Sequence, residues 1–182
     1  MFKKIAIAVA VATAIGGVAS NAVAGNSTSN LTVSATVNTK CSATTNAVAF
    51  GVYDPTAVAA ANGVGQVIVT CTKAATGVTI GLSLGANVTG STRRMLGSPG
   101  GDFRTYELYT PSVTTPGTGN CGTGNGSGTI WNMTNLLTPT GVSPWGAGNA
   151  KTFEVCGVVP ATQDVTAGGA TYSDTVVATL TF

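Results

Sequence analysis

The chain has no histidine. That absence removes the side chain that most often serves as a general base and most often ligates transition metals. Charge is scarce as well. Only 8% of the 182 residues are charged, 8 basic against 6 acidic, too few and too evenly matched for a nucleic-acid-binding surface or a charged disordered tail. Aromatic residues make up 6%. Beyond the first two dozen residues, no stretch approaches the roughly 20 apolar residues needed to cross a bilayer. What is abundant is Ala, Val, Thr, Gly and Ser, strand formers interleaved with turn formers. Such a composition suits sheets and surfaces and is poor material for catalysis.

Residues 1–24 read as a cleaved secretory signal. Lys3 and Lys4 make a short positive start, Ile5 to Val18 is uncharged and apolar, and Ala22-Val23-Ala24 has the small-x-small form of a cleavage site. Cleavage there leaves 182 − 24 = 158 residues, with 8 − 2 = 6 basic and 6 acidic groups. An exported chain with an even number of cysteines points to disulfides rather than metal or redox chemistry. Four cysteines allow three pairings. Cys41–Cys71 with Cys121–Cys156 is preferred, because it staples each half of the chain separately.

The rest divides into short strands and turns. Ser29 to Val37 alternates, with Leu31, Val33, Ala35 and Val37 on one face and threonine and serine on the other. Further strands are expected at Val48–Tyr53, Gln66–Thr72, Val78–Leu84, Arg94–Leu96, Thr105–Thr110, Thr129–Met133, Phe153–Val159 and Ser173–Phe182. The second and third of these are expected to form a hairpin. The last presents Val176, Ala178, Leu180 and Phe182 on one face, and an apolar residue ending the chain calls for burial. Many short strands at this spacing predict an all-β sandwich.

Candidate chemical sites are weak. Gly117-Thr118-Gly119-Asn120-Cys121-Gly122 matches a dinucleotide-binding pattern, but more glycine-rich loop follows it instead of the helix that the pattern needs. It reads as a flexible surface loop. The six carboxylates Asp54, Asp102, Glu107, Glu154, Asp164 and Asp174 are scattered, with no paired arrangement for acid–base work. Arg93-Arg94 reads as charge blunting an exposed strand edge. Trp131, Trp145, Tyr106 and Tyr109 suit core packing better than a sugar-binding platform. No cofactor, metal or catalytic residue is expected.

Several stretches together resemble the spore coat protein U domain family, which includes major subunits of archaic (Csu-type) chaperone–usher pili. They are the alternating Leu31–Val37 followed by Cys41, then Phe50-Gly51-Val52-Tyr53-Asp54-Pro55, Val67–Cys71, Arg94-Met95-Leu96 and Tyr106–Tyr109. The closing stretch adds Gly157-Val158-Val159-Pro160 with Gln163, and Tyr172–Val176 running to Phe182. Cys121 and Cys156 depart from the family pattern. The resemblance implies an incomplete immunoglobulin-like β-sandwich over residues 41–182, completed by a donor strand from a neighbouring subunit. Residues 25–40 would be the donor extension and linker, with Leu31, Val33, Ala35 and Val37 as donor residues. Val176, Ala178, Leu180 and Phe182 would line the groove. The implied partners are like subunits, a periplasmic chaperone and an outer-membrane usher, and the implied location is a surface pilus supporting adhesion or biofilm formation. The alternative is a stand-alone secreted spore-coat-like or carbohydrate-binding domain.

Overall fold

The computed structural model describes residues 24–99, 101–122, 124–146, 148–164 and 170–182. The expected signal segment, apart from Ala24, lies outside them. Two units divide the chain, Met1–Thr36 and Val37–Phe182. In the first, residues 24–36 carry no regular secondary structure. The alternation of Ser29–Val37 therefore does not make a strand here. A strand exists only through a ladder partner, and among the described residues this segment has none.

The second unit is all β. Its strands are β1 (Cys41–Ala49), β2 (Ala61–Cys71), β3 (Thr79–Leu82), β4 (Arg93–Ser98), β5 (Phe103–Tyr109), β6 (Lys151–Val159), β7 (Thr171–Ser173) and β8 (Ala178–Thr181). Six of them form one sheet in the order β1-β2-β6-β5-β4-β7, and β3 and β8 form a second. All pairings are antiparallel. The inner face of β2 carries Gly63, Gly65, Val67, Val69 and Cys71, all buried, the period-2 pattern of a strand covered on one side. Opposite them on β6 stand Gly157, Val155 and Phe153. With Ile80, Leu82, Leu108, Trp131, Leu137 and Val159, the side chains of Val67, Val69, Cys71, Phe153 and Val155 form the core between the sheets.

Several sequence expectations are corrected. The second and third expected strands do not pair as a hairpin. β2 belongs to the six-stranded sheet and β3 to the other, and the loop after Cys71 carries the chain across the sandwich. The strand expected at Val48–Tyr53 begins earlier, at Cys41, and ends at Ala49. Thr129–Met133 is not a strand, although Ile130 bridges to Tyr109. Ser173–Phe182 is not one strand, because the chain changes sheets between β7 and β8. Asp174 fixes that switch: its carboxylate accepts from the Ala86 and Asn87 backbone N–H groups and from the Tyr106 hydroxyl.

Arg93 does not blunt an edge. It is fully buried, donates to the Ser83 and Trp131 carbonyls, and is ion-paired with Glu107. Trp131, Trp145 and Tyr106 are buried as well, so these aromatics are core and not a platform. The Trp131 indole donates to the Ile80 carbonyl at 2.8 Å.

Candidate functional site: an open groove in the sandwich

A groove of about 980 Å³ opens into the core of the second unit. One wall is β1 and its continuation, from Thr45 to Tyr53; the other runs from Ala170 to Ala178. Its floor includes Val67, Leu82, Met95, Leu108 and Val155, all apolar. The groove exists because neither wall is closed by a further strand. β1 pairs only with β2, and β8 pairs only with β3, among the described residues. Each therefore offers a row of backbone N–H and C=O groups without a ladder partner, a template for another strand. β1 has little to bury in the single chain: seven of its nine residues are exposed and Val48 is half-buried. Its sequence, Cys-Ser-Ala-Thr-Thr-Asn-Ala-Val-Ala, lacks the apolar alternation that would have marked it as a strand.

Glycines let the wall settle on the floor. A Cβ at Gly157 would lie 2.7 Å from Val48 Cγ1 and 2.8 Å from Phe50, and one at Gly65 would lie 2.6 Å from Val48 Cγ2. Val48 and Phe50 occupy that space, and the Phe50 ring meets Tyr106 at 6.1 Å. The Phe50–Pro55 segment is then tied down at its far end. The Tyr53 hydroxyl donates to the Pro160 carbonyl and accepts from the Gln163 N–H. Gln163 in turn brackets Thr105: its side-chain oxygen accepts from the Thr105 N–H and its amide donates to the Thr105 carbonyl. Pro160 and Gln163, noticed in the sequence only as part of a pattern, thus act as a clamp on β5.

The predicted C-terminal residues divide. Val176 and Ala178 line the groove. Leu180 pairs with Ile80 and packs on the core. Phe182 is 51% exposed, contrary to the expectation of burial, since the last paired residue of β8 is Thr181. The apolar residues of the N-terminal segment are open to solvent: Leu31 is 87% exposed, Val33 86% and Val37 82%, and Ala35 is exposed too.

Disulfides link Cys41 to Cys71 and Cys121 to Cys156. The first joins directly opposite residues of β1 and β2, so it fastens the edge strand beside the groove. The second reaches from the glycine-rich loop to β6. That loop is not free. The Glu154 carboxylate accepts from the backbone N–H groups of Gly119, Asn120 and Cys121 at 2.8, 2.6 and 3.1 Å. The glycine pattern does form an anion-accepting turn, and its anion is the chain's own glutamate. Nothing in the local sequence signals that pairing. Among the described residues, no cluster of His, Cys, Asp or Glu could hold a metal ion.

The spore coat protein U domain model matches residues 27–179. The chain belongs to that family. Protein U of Myxococcus xanthus is 36% identical over 143 residues, 73% of this chain and 70% of that protein. Among solved structures, the fold is similar to a chain in the crystal structure of the CsuC–CsuE chaperone–tip adhesion subunit pre-assembly complex, from archaic chaperone–usher Csu pili of Acinetobacter baumannii. The TM-score is 0.54 at 20% identity, covering 81% of this chain and 40% of that one. The chain thus spans less than half of that solved chain. The fold is an all-β, immunoglobulin-like sandwich, as expected from the family resemblance.

Proposed function

We propose that this protein is a structural subunit of a surface fibre of the chaperone–usher type, joined to its neighbours by strand exchange. The carrying observation is the groove: an apolar floor between two strand edges that have no further ladder partner among the described residues. In water such a site is costly, and an added strand would satisfy both the backbone groups and the apolar floor. The matching part is the exposed segment bearing Leu31, Val33, Ala35 and Val37. Its four apolar residues alternate over six residue steps, about 20 Å of extended chain, and inserted in a second copy they would complete the sandwich.

A periplasmic chaperone holds the groove before assembly in this reading, an usher exports the subunit, and the fibre serves adhesion or biofilm formation. The role is structural and not enzymatic. Membership in the family and the likeness to a Csu pre-assembly complex support it. The 36% identity to Protein U favours a second reading, a spore-coat-like surface protein. A sugar-binding role has less support, because Trp131 and Trp145 are buried.

The test is fractionation of surface appendages, with the chain followed on gels of unheated and heated samples. A fibre subunit gives an SDS-resistant ladder that collapses on boiling, and its periplasmic form co-purifies with a chaperone. Recovery only as a monomer, with neither ladder nor chaperone, would contradict the proposal.

A further inference from the structure

Charge is divided between the two ends of the sandwich. The basic end is where β1 starts. Lys40 extends the β1–β2 ladder, its carbonyl accepting from the Thr72 N–H. Lys73 follows Cys71 by two residues, and Lys151 opens β6 opposite Val69 of β2. Cys41 pairs with Cys71, so the three lysines share one end. Lys40 and Lys73 are exposed and Lys151 is half-buried. No other lysine lies beyond residue 24.

The acidic end is the opposite one. Asp54 lies in the loop from β1 to β2, Asp102 in the turn from β4 to β5, and Asp164 beyond β6. The clamp gathers these connections, since Tyr53 reaches Pro160 and Gln163 reaches Thr105. Asp54 and Asp164 are exposed, and Asp102 is half-buried and accepts from the Tyr172 hydroxyl. Arg104, at this end, is buried between the Tyr53 and Tyr172 rings. The remaining charges have partners within the chain: Arg93 with Glu107, Arg94 with Asn87 and Phe103, Glu154 with its loop, and Asp174 with Tyr106. The Asp54 loop also carries Val52 and Val58, 99% and 93% exposed.

The groove decides which ends meet when a strand enters it. Ile80 exchanges both its backbone bonds with Leu137. On β8, by the alternation of an antiparallel ladder, the groups of Ala178 and Leu180 therefore face the open edge. On the other wall, a bulge between Asn46 and Ala49 breaks the regular spacing. The entering strand thus makes its regular ladder with β8, and antiparallel pairing is the more stable kind. β8 runs away from the end marked by Tyr53 and Tyr172, so an antiparallel strand leaves the groove there, at the acidic end. Asn38, Thr39 and Lys40 alone then separate it from Cys41 of its own body, a reach of about 10 Å. The lysine end of the entering copy is set against the aspartate end of the receiving copy. Entry in reverse would bring the chain out toward the receiver's own lysines, like charge against like.

We propose that successive copies dock end to end, with Lys40, Lys73 and Lys151 of one facing Asp54, Asp102 and Asp164 of the next, and that this pairing steers the direction of entry. The contact joins two different surfaces of the same chain, so it repeats along a fibre. The docked body also covers Val52 and Val58. This rests on the strand-exchange reading of the groove.

The experiment follows assembly of the full chain by its heat-labile ladder, at low and high sodium chloride, beside binding of a labelled peptide spanning residues 25–38. The peptide carries the donor run and no charged side chain, so it fills the groove without the lysine end. Assembly of the unaltered chain slows about tenfold or more as salt rises, because steering between opposite charges is screened. At low salt, Lys73→Glu with Lys151→Glu slows assembly to a similar degree, and so does Asp54→Lys with Asp164→Lys. The chain with all four changes recovers most of the lost rate, the mark of a direct pairing. Each variant binds the peptide like the unaltered chain, which shows its groove intact. Assembly of the unaltered chain that ignores salt would overturn the proposal with no variant needed. Reversed chains that assemble at the normal rate would overturn it, and so would four changes whose losses simply multiply. Failure of the peptide to bind the unaltered chain would instead overturn the strand-exchange reading itself.

Discussion

Replacing Val33 by Asp should abolish assembly. Val33 is 86% exposed in the single chain, and in a fibre its side chain would lie among Val67, Leu82, Met95, Leu108 and Val155, the apolar floor of the groove. Losing a fully buried valine costs about 1.5–3 kcal/mol. A carboxylate put in its place must lose its water without a partner or take up a proton, for a further cost of at least about 2–3 kcal/mol. The sum, about 4–6 kcal/mol, weakens each junction by about a thousandfold or more. Ser34→Asp is the control. In an inserted strand Ser34 faces outward, and its substitution should leave assembly within a few-fold of normal. The assay is the heat-labile ladder from surface fractions, with export of the monomer checked separately. A Val33→Asp chain that ladders like its parent would refute the reasoning, and so would a Ser34→Asp chain that fails equally.

Three further outcomes follow from the packing. Glu154→Gln keeps the shape but gives up charge and one acceptor facing three backbone N–H groups; urea unfolding should show a loss of about 2–3 kcal/mol, and limited proteolysis should now cut within 111–128. Glu107→Gln leaves Arg93 buried without its counter-charge and should cost about 3 kcal/mol, the lower end for such pairs because Glu107 is 20% exposed; thermal unfolding that is unchanged would show the ion pair to be dispensable. Burial and the bond donated to Asp174 push the Tyr106 hydroxyl well above its ordinary value of 10.0, so the stability it contributes is intact below that pH and is lost as the pH rises beyond it. Tyr106→Phe should flatten that alkaline loss, measured by urea midpoints across the range, and an unchanged slope would count against it.

The parts legible in the sequence were those that obey a single period. β2 and β5 read as strands because each sets a row of apolar residues on one face, β6 reads as one because it is a short apolar run, and the even cysteine count with an export signal suited disulfides. β1 was illegible for a physical reason. An edge strand on an open groove buries almost nothing in the single chain, so Ser42, Thr44 and Asn46 carry no hydrophobic signal. Arg93 and Glu154 were illegible for another. Their partners, the Trp131 carbonyl and the N–H groups of Gly119 to Cys121, lie more than thirty residues away, and local spacing says nothing about such pairs. The C-terminal alternation holds as a pattern of faces for Val176, Ala178 and Leu180 and fails at Phe182, which is exposed. It was misread as one strand because alternation continues unbroken while the chain passes from β7 to β8 through Asp174. Of the groove, the two edges without ladder partners and the glycine seats at Gly65 and Gly157 required the structure.

The central claim is that residues 31–37 of one copy enter the groove of another. Photo-leucine placed at position 33, in fibres assembled from mixed heavy-isotope and light chains, tests it most directly. On irradiation and proteolysis, mass spectrometry should find position 33 joined to floor peptides containing Leu82, Met95 or Leu108, with heavy-to-light pairs showing that two copies are linked. Cross-links confined to one copy, or falling outside the groove, would contradict it.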